Sequence, residues 1–243
     1  MVSRETTAAS DRLRDRAAAM GVALDPAAAR ALIDLLERIA AEPQNLTAIT
    51  GLDAGIDRHL ADSLVALTLP EMAAATLVVD VGSGAGFPGL ALAIARPDMD
   101  VTVVESEGRK ADWLRRASAA IPNVRVVADR SEHLAADARE SYYLATMRAL
   151  GPLPVGLELT APLVAVGGAV VAWRGDDADP ALDEASARAA AELGLRPDAP
   201  LPVAPFPGAR RRLQVFHKVA PTPARYPRRP GRAAKRPLGG VRA

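Results

Sequence analysis

The sequence of 243 residues contains no cysteine, few aromatic residues and only three histidines. The absence of cysteine excludes disulfides, thiolate metal ligands and every mechanism that needs a thiolate nucleophile. The three histidines, His59, His133 and His217, are far apart in the sequence and lack the spacing of metal ligands. We therefore predict no metal site. Few aromatic side chains could stack on nucleic-acid bases.

Long apolar runs are also missing. The longest charge-free stretch after the glycine-rich segment is LTAPLVAVGGAVVAW, and a proline and a glycine pair interrupt it. A membrane helix needs roughly 20 apolar residues, so we predict no membrane span. The first residues are polar and lack the apolar centre of a signal peptide. We expect a cytoplasmic protein that acts as a monomer.

Acidic residues are absent from one end of the chain. Residues 210–243 hold 11 Lys or Arg and no Asp or Glu, whereas residues 1–209 hold 19 basic and 29 acidic groups. An Arg- and Pro-rich tail suits a polyanionic partner such as RNA, because guanidinium groups pair with phosphate. A solvated tail that aids solubility is the alternative, and charge alone does not separate the two.

The order of elements predicts an α/β fold with one main core. We divide the chain into an N-terminal helical extension (1–70), a core (71–220) and a basic tail (221–243). The first twenty residues predict a polar helix with little to bury. A second helix is expected over Pro26–Glu42 with Asp25 as its N-cap.

From Leu77 onward, short β-rich runs alternate with helical segments, which predicts a doubly wound, mostly parallel sheet. Helices are expected near Pro88–Ala95, Arg109–Ala120, Thr160–Ala165 and Pro180–Leu193. The last run, RLQVFHKV, follows a Pro-rich connection and fits a reversed strand at the end of the sheet.

The segment LVVDVGSGAGFPGLALAIA ends an apolar strand in glycines and continues into a helix. This arrangement presents backbone amides and a positive helix end to a ligand at the carboxyl edge of the sheet. Gly84, Gly86 and Gly89 satisfy G-x-G-x-x-G, and Glu105 follows about 20 residues later. The pattern alone is also compatible with a nicotinamide nucleotide.

Acidic residues at three successive strand ends favour a cationic ligand. Asp80 would repel a pyrophosphate but attract the ammonium and sulfonium groups of S-adenosylmethionine. Glu105 can accept hydrogen bonds from both ribose hydroxyls, and Asp129 is placed to meet the adenine edge. The alternative for each is that it caps the helix that follows.

Several motifs together resemble the bacterial 16S rRNA guanine-N7 methyltransferase G family, also called glucose-inhibited division protein B. The resemblance runs from about residue 44 to 175 and resumes at the C-terminus. It is carried by QNLTAIT, RHLADSL, VDVGSGAGFPGLALAIARPD, VESEGRKADWLRRA, ADRSE, MRALGPL and VAPTPARYPRRPGRAAKRPL.

That resemblance implies a Rossmann-like class I methyltransferase fold, S-adenosylmethionine as methyl donor and a guanine of the small-subunit rRNA as acceptor. It also implies donor contacts from Gly82, Phe87, Ser131, Glu132 and Arg148. Where the family has Phe-Asp opening the fourth strand and Ser before the arginine, this chain has Tyr142–Tyr143 and Met147. We expect the first difference to alter packing and the second to alter the hydrogen bonds around Arg148.

Guanine N7 carries an unprotonated lone pair, so methyl transfer to it needs no general base, and we name no catalytic residue. The absent cysteine excludes cytosine-C5 methylation through a thiolate adduct. After the fourth strand, MRALGPLP lacks the acidic or Asn-Pro-Pro-Tyr element of amino-directed enzymes. Both observations favour a ring nitrogen.

Basic side chains are expected to supply RNA phosphate contacts, with an affinity that falls steeply with salt. The candidates are Arg58, His59, Arg228, Arg229, Lys235 and Arg236. For Arg58 and His59, local hydrogen bonds on a helix surface are an equal alternative. The tail is expected to act on RNA without taking part in donor binding.

Two alternative functions remain at this stage. One is an NAD-dependent oxidoreductase that uses the same glycine loop. The other is a non-catalytic RNA-binding factor for ribosome assembly.

Overall fold

The computed structural model describes residues 4–43, 45–175 and 179–240. The outer ends of the predicted extension and tail, at 1–3 and 241–243, lie outside these residues, as does Gln44 of the motif QNLTAIT. The α-helices are α1 Arg4–Ala19, α2 Pro26–Ala41, α3 Leu52–Gly55, α4 Asp62–Leu64, α5 Pro70–Ala74, α6 Gly89–Ala95, α7 Gly108–Ser118, α8 Ser131–Asp137, α9 Leu153–Thr160, α10 Pro180–Glu192 and α11 Arg232–Lys235. A π-helical stretch, Ile56–Ala61, joins α3 to α4.

The strands form one sheet in the order β3-β2-β1-β4-β5-β8-β6, and β7 also pairs with β8. They are β1 Leu77–Val81, β2 Asp100–Val104, β3 Val124–Val127, β4 Tyr142–Met147, β5 Val164–Arg174, β6 Leu195–Pro197, β7 Leu201–Val203 and β8 Arg211–Lys218. Strands β1 to β5 are parallel, and β8 runs antiparallel to β5. The predicted doubly wound sheet and the reversal of β8 are confirmed. The predicted place of β8 at the end of the sheet is wrong, because β6 and β7 pair with it beyond β5.

The parallel register brings the carboxyl ends of β1, β2 and β4 to one edge. Val81 pairs with Val104 on one side and with Met147 on the other. The residues that follow these three strands therefore lie side by side. In open α/β sheets, ligands bind in the crevice at this edge.

Two hydrophobic layers cover the sheet. The N-terminal helices, α6 and α7 pack on one face, where Leu13, Leu32 and Trp113 share a core with Val103 of β2. Helices α8, α9 and α10 and the C-terminal segment pack on the other face. The predicted cap of α2 is confirmed, because Asp25 Oδ1 accepts the Ala27 amide at 2.7 Å.

Two local predictions are wrong. Helix α1 is not a helix with little to bury, because Ala9, Leu13 and Ala17 recur at four-residue spacing and are buried in the core. The helix expected near Thr160–Ala165 lies earlier, as α9, and β5 has already begun at Val164.

Candidate functional site

The loop between β1 and α6 owes its glycines to backbone conformation and to close packing within the protein. Gly82, Gly84 and Gly86 have φ values of +74°, +57° and +109°, which favour glycine. Gly89 has no such φ, but a Cβ atom there would lie 2.7 Å from both an Asp80 carboxylate oxygen and a Val103 methyl. The glycine at position 89 is therefore explained by side chains of the protein that pack against its backbone.

Asp80 holds the start of α6 and is buried, with 1% of its surface exposed. Its Oδ2 accepts the Gly89 amide at 3.0 Å, and its Oδ1 accepts the Thr146 hydroxyl at 2.8 Å. Burial is the main cause that raises the pKa of Asp80, against hydrogen bonds from Ser83, Thr146 and Gly89 and the charge of Arg148. The carboxylate thus points into the loop scaffold rather than into an open crevice.

Glu105 follows β2 and ties the glycine loop to that strand. Its Oε2 accepts the Gly84 amide at 3.0 Å, and its Oε1 accepts the Glu107 amide at 2.8 Å. Each carboxylate oxygen has a further lone pair, so Glu105 retains acceptor capacity for a ligand hydroxyl. The backbone of the glycine loop also bonds β2, since the amides of Gly82 and Ser83 donate to the Val104 carbonyl at 2.9 and 3.1 Å.

Asp129 follows β3 and is exposed. Its Oδ1 accepts the Arg130 amide at 2.7 Å and lies 2.8 Å from His133 Nδ1. The Arg130 amide bond and then His133 lower the pKa of Asp129, so it is ionised at neutral pH. The N-cap of α8 is Arg130 and has no side-chain capping bond, so Asp129 precedes the helix without acting as its N-cap.

A cavity of about 160 Å³ lies at the carboxyl edge where these elements meet. It is lined by residues at the ends of β1, β2 and β3, by the segment after β4 with α9, and by the C-terminal segment; these residues are Val81, Gly82, Val104, Ser106, Asp129, Arg130, Ser131, Glu132, Leu150, Val155, Leu159, Gly231, Ala233 and Ala234. Of the predicted donor contacts, Gly82, Asp129, Ser131 and Glu132 therefore line the cavity. Asp80, Gly84, Gly86, Phe87, Glu105 and Arg148 do not line it. The structure therefore brings the ends of β1, β2 and β3 together around one cavity.

Arg148 follows β4 and belongs to a second cluster beside the glycine loop. Its Nη1 donates to Asp62 Oδ2 at 2.9 Å, while the other Asp62 oxygen accepts Arg211 Nε at 3.2 Å. Asp62 is almost fully buried, and its backbone carbonyl accepts the Trp173 indole N–H at 2.6 Å. Two guanidinium groups thus share one buried carboxylate. Sequence reasoning missed Asp62 and Arg211, which lie 149 positions apart.

Phe87 of the glycine loop contacts both His59 and Arg148. The His59 ring stacks on Phe87 with centroids 4.5 Å apart and planes 10° apart. The Arg148 guanidinium lies 5.8 Å from the Phe87 ring centroid, within the range of a cation–π contact.

His59 is buried among cations. Burial, and then the charges of Arg148 and Arg58, lower the pKa of His59 to about 4, so the imidazole is neutral at pH 7. Its Nε2 is 3.0 Å from the Thr47 hydroxyl, and its Nδ1 is 3.4 Å from Arg148 Nη2. Because the guanidinium can only donate, Nδ1 is assigned as the acceptor. His59 is therefore not on a helix surface with local bonds, because it is buried and its side-chain partners Thr47 and Arg148 are distant in sequence. Arg58 is exposed.

The departures at the fourth strand have visible consequences. Tyr142 is buried, and its hydroxyl donates to Thr102 Oγ1 at 3.3 Å. Met147 packs against Gly156 of α9, where a Cβ atom would lie 2.4 Å from the Met147 sulfur. The residue before Arg148 therefore supplies packing, and Arg148 is held instead by Asp62.

The basic tail residues differ in their surroundings. Arg228 pairs through Nε and Nη2 with the two oxygens of Glu158, a carboxylate only 1% exposed. Arg229, Lys235 and Arg236 are exposed. The structure therefore divides the four predicted RNA contacts into one internal partner and three surface cations.

One group of three potential metal ligands occurs in the described part of the chain, away from the glycine loop. It consists of Glu71, Asp198 and His217, whose ligand atoms lie within 4.8 Å of one another. The His217 and Asp198 side chains already bond each other at 2.7 Å.

Across residues 4–43, 45–175 and 179–240, no helix has the length and apolarity needed to cross a bilayer.

The comparisons with known proteins agree with this geometry. The sequence model of a family described as rRNA small subunit methyltransferase G matches residues 27–195. A curated protein of Chloroflexus aggregans, named ribosomal RNA small subunit methyltransferase G, is 42% identical over 199 residues, covering 80% of this chain and 82% of its own. A protein of the same name from Roseiflexus is 41% identical over 241 residues, covering 94% and 99% of the two chains.

Solved structures support the fold. A 16S rRNA (adenine(1408)-N(1))-methyltransferase variant from Catenulisporales acidiphilia superposes with a TM-score of 0.52 at 18% identity, covering 63% of this chain and 90% of that one. A predicted O-methyltransferase from Agrobacterium tumefaciens gives 0.51 at 22% identity, covering 68% and 81%.

Proposed function

Because the chain belongs to the rRNA small subunit methyltransferase G family, we propose that it transfers a methyl group from S-adenosylmethionine to N7 of a guanine in 16S rRNA. The observation that carries the proposal is the meeting of two unlike clusters on the glycine loop. Asp80 accepts the Gly89 amide and Glu105 accepts the Gly84 amide of this loop. The Arg148 guanidinium lies over Phe87 of the same loop and shares Asp62 with Arg211.

The residues at the carboxyl edge fit the proposed donor. Glu105 offers acceptor lone pairs beside the loop, and the loop backbone is exposed to the cavity at Gly82. Ser131 and Glu132 complete the rim at the start of α8. When bound, S-adenosylmethionine supplies an electrophilic methyl group on a cationic sulfur.

The protein's own contribution is positioning and exclusion of water rather than proton transfer. The lone pair of guanine N7 is available at neutral pH, so the acceptor needs no deprotonation. His59, neutral and bonded on both nitrogens, acts as a spacer that orients Phe87 and Arg148. Holding the two reactants in line accounts for rate enhancement by proximity, without an acid or base.

The RNA that carries the proposed acceptor base is a polyanion, and the guanidinium groups of Arg148 and Arg211 suit its phosphates. Asp62 fixes both guanidinium groups, so the cost of ordering them is met in the folded protein. Two cations around one carboxylate leave a positive surplus for RNA phosphate.

The test is methylation of small ribosomal subunits from a strain that lacks the modification, with S-adenosylmethionine labelled in the methyl group. We expect label on one 16S guanine and chain cleavage there after reduction and aniline treatment, which report N7 methylation. Label on an exocyclic amino group or on another base would contradict the proposed acceptor. No label, with RNA binding retained, would favour the assembly-factor alternative.

Ligand binding tests the donor. We expect S-adenosylhomocysteine, and not NADH, to raise the unfolding temperature of the protein. Stabilisation by NADH alone would favour the oxidoreductase alternative.

A further inference from the structure

The C-terminal segment is part of the folded protein, contrary to a tail that stands apart from the core. We define the tail as residues 221–240. Tyr226, Ala233 and Leu238 are each less than 10% exposed, and Tyr226 and Leu238 pack in the core layer of α9 and α10. A Cβ atom at Gly239 would lie 2.1 Å from the Ala185 carbonyl oxygen, so the backbone of the tail touches α10 directly.

Polar anchors fix the tail at three points. Near its start, buried Lys218 bonds the Thr222 hydroxyl, and Arg139 donates to the Tyr226 carbonyl at 2.8 Å. In its middle, Arg228 Nε donates to Glu158 Oε1 at 2.8 Å, and the Arg228 amide donates to the same oxygen at 3.1 Å. A bidentate pair with a buried carboxylate has one geometry, which sets where the following residues lie.

The third anchor lies at the cavity. The Gly231 amide donates to Glu132 Oε1 at 3.3 Å, so the tail meets the first turn of α8. Gly231, Ala233 and Ala234 then line the cavity opposite Gly82 and Ser131. These three residues have small side chains or none, which leaves the space between tail and sheet edge open.

We propose that the tail forms one wall of the donor-binding pocket, so that the adenosine part of the donor is held between the carboxyl ends of β1 to β3 and residues Gly231, Ala233 and Ala234. This inference rests on the proposed function, since it concerns the site of the same donor. A wall of small, apolar residues suits the flat face of a purine, and the Glu132 bond sets the distance of that wall from the sheet. The cavity of about 160 Å³ is below the range of about 300–1,000 Å³ for whole ligand sites, which matches a compartment for one part of the donor.

The test fills the cavity from the tail side. Ala234 is exposed at its outer edge, so Ala234→Phe should fold. Ala224, also exposed and in the same tail, does not line the cavity, and Ala224→Phe is the matched control. By calorimetric titration with S-adenosylhomocysteine, we expect Kd to rise at least about tenfold for Ala234→Phe and to stay within about twofold of wild type for Ala224→Phe.

A second variant acts on the anchor and leaves the cavity residues unchanged. Glu158→Gln removes the charge that holds Arg228, so we expect faster tryptic cleavage in the tail and a Kd for S-adenosylhomocysteine raised by about threefold or more. Cleavage slowed by added S-adenosylhomocysteine in the wild type is the accompanying expectation.

The outcomes separate this inference from the proposed function. If the wild type binds S-adenosylhomocysteine but Ala234→Phe and Glu158→Gln bind it equally well, the tail is not a wall of the site and the inference is overturned, while the proposed function stands. If the wild type binds NADH and not S-adenosylhomocysteine, both are overturned.

Discussion

Replacing Asp80 separates two roles that a carboxylate at the end of β1 could have. Sequence reasoning predicts that its charge attracts a cationic donor, whereas the structure shows both oxygens bonded within the protein, to the Gly89 amide and the Thr146 hydroxyl. In Asp80→Asn the amide oxygen can accept from Gly89, and the amide nitrogen can donate to Thr146 if that hydroxyl turns. In Asp80→Ala both partners lose their acceptor.

The expected magnitudes follow from these two bonds. Asp80→Ala leaves a buried amide unpaired and a small void, so we expect the free energy of unfolding to fall by about 2–4 kcal/mol. Asp80→Asn should lower it by about 1 kcal/mol or less, because the same shape and most hydrogen bonds remain. Urea unfolding with equal m-values for the three proteins measures these differences.

Donor affinity decides whether the charge acts directly. Both S-adenosylmethionine and S-adenosylhomocysteine carry an ammonium group, but only the first carries a sulfonium, so a through-space attraction to the sulfonium would act on S-adenosylmethionine only. We expect Asp80→Asn to weaken both by the same small factor in calorimetric titrations. A loss for S-adenosylmethionine about tenfold greater than for S-adenosylhomocysteine would refute this reasoning and restore the direct electrostatic role.

Three further predictions concern other contacts. Gly89→Ala should lower the free energy of unfolding by about 1–3 kcal/mol, because the new Cβ would meet Asp80 and Val103. Gly108→Ala is the control, since a Cβ atom there meets nothing within 4 Å, and equal urea midpoints for the two variants would contradict the packing argument. The pKa of His59 is about 4 in the folded protein and near its ordinary value of 6.5 in the unfolded chain. The contribution of His59 to the free energy of unfolding should therefore be full above about pH 6.5 and fall by roughly 3 kcal/mol as the pH drops to about 4. The same pH profile of unfolding in His59→Asn as in the wild type would contradict this. The exposed pair Arg229→Ala/Lys235→Ala should weaken RNA binding and reduce the slope of log affinity against log salt by about one to two, and an unchanged slope would remove both from the RNA contacts.

Local patterns in the sequence were sufficient for the parallel strands β1 to β5 and for β8, but not for the short strands β6 and β7. The strand that ends at Val81 is bounded by an apolar run and by glycines, and Asp25 precedes a proline at the start of α2. Parallel strands bring their carboxyl ends to one edge, so Glu105 could be placed beside the loop from its position alone. These features depend on neighbours a few positions away.

Pairs that are distant in sequence were not predictable in the same way. Glu158 and Arg228 are 70 positions apart, and no local pattern marks which arginine of a basic tail bonds a buried carboxylate. Counting charges describes the tail only as a whole. Helix α1 was misjudged for a related reason, since three of its four buried positions are alanine or serine, which contribute little to an apolar pattern.

The groups proposed to bind the donor and the groups proposed to bind RNA differ in charge. The donor side carries the carboxylates of Glu105 and Asp129, which suit a ligand with cationic groups. The acceptor side carries Arg148 and Arg211 around a single carboxylate, Asp62, and so retains positive charge for an RNA backbone. Because phosphate contacts are released by salt, raising ionic strength should weaken RNA binding far more than binding of S-adenosylhomocysteine.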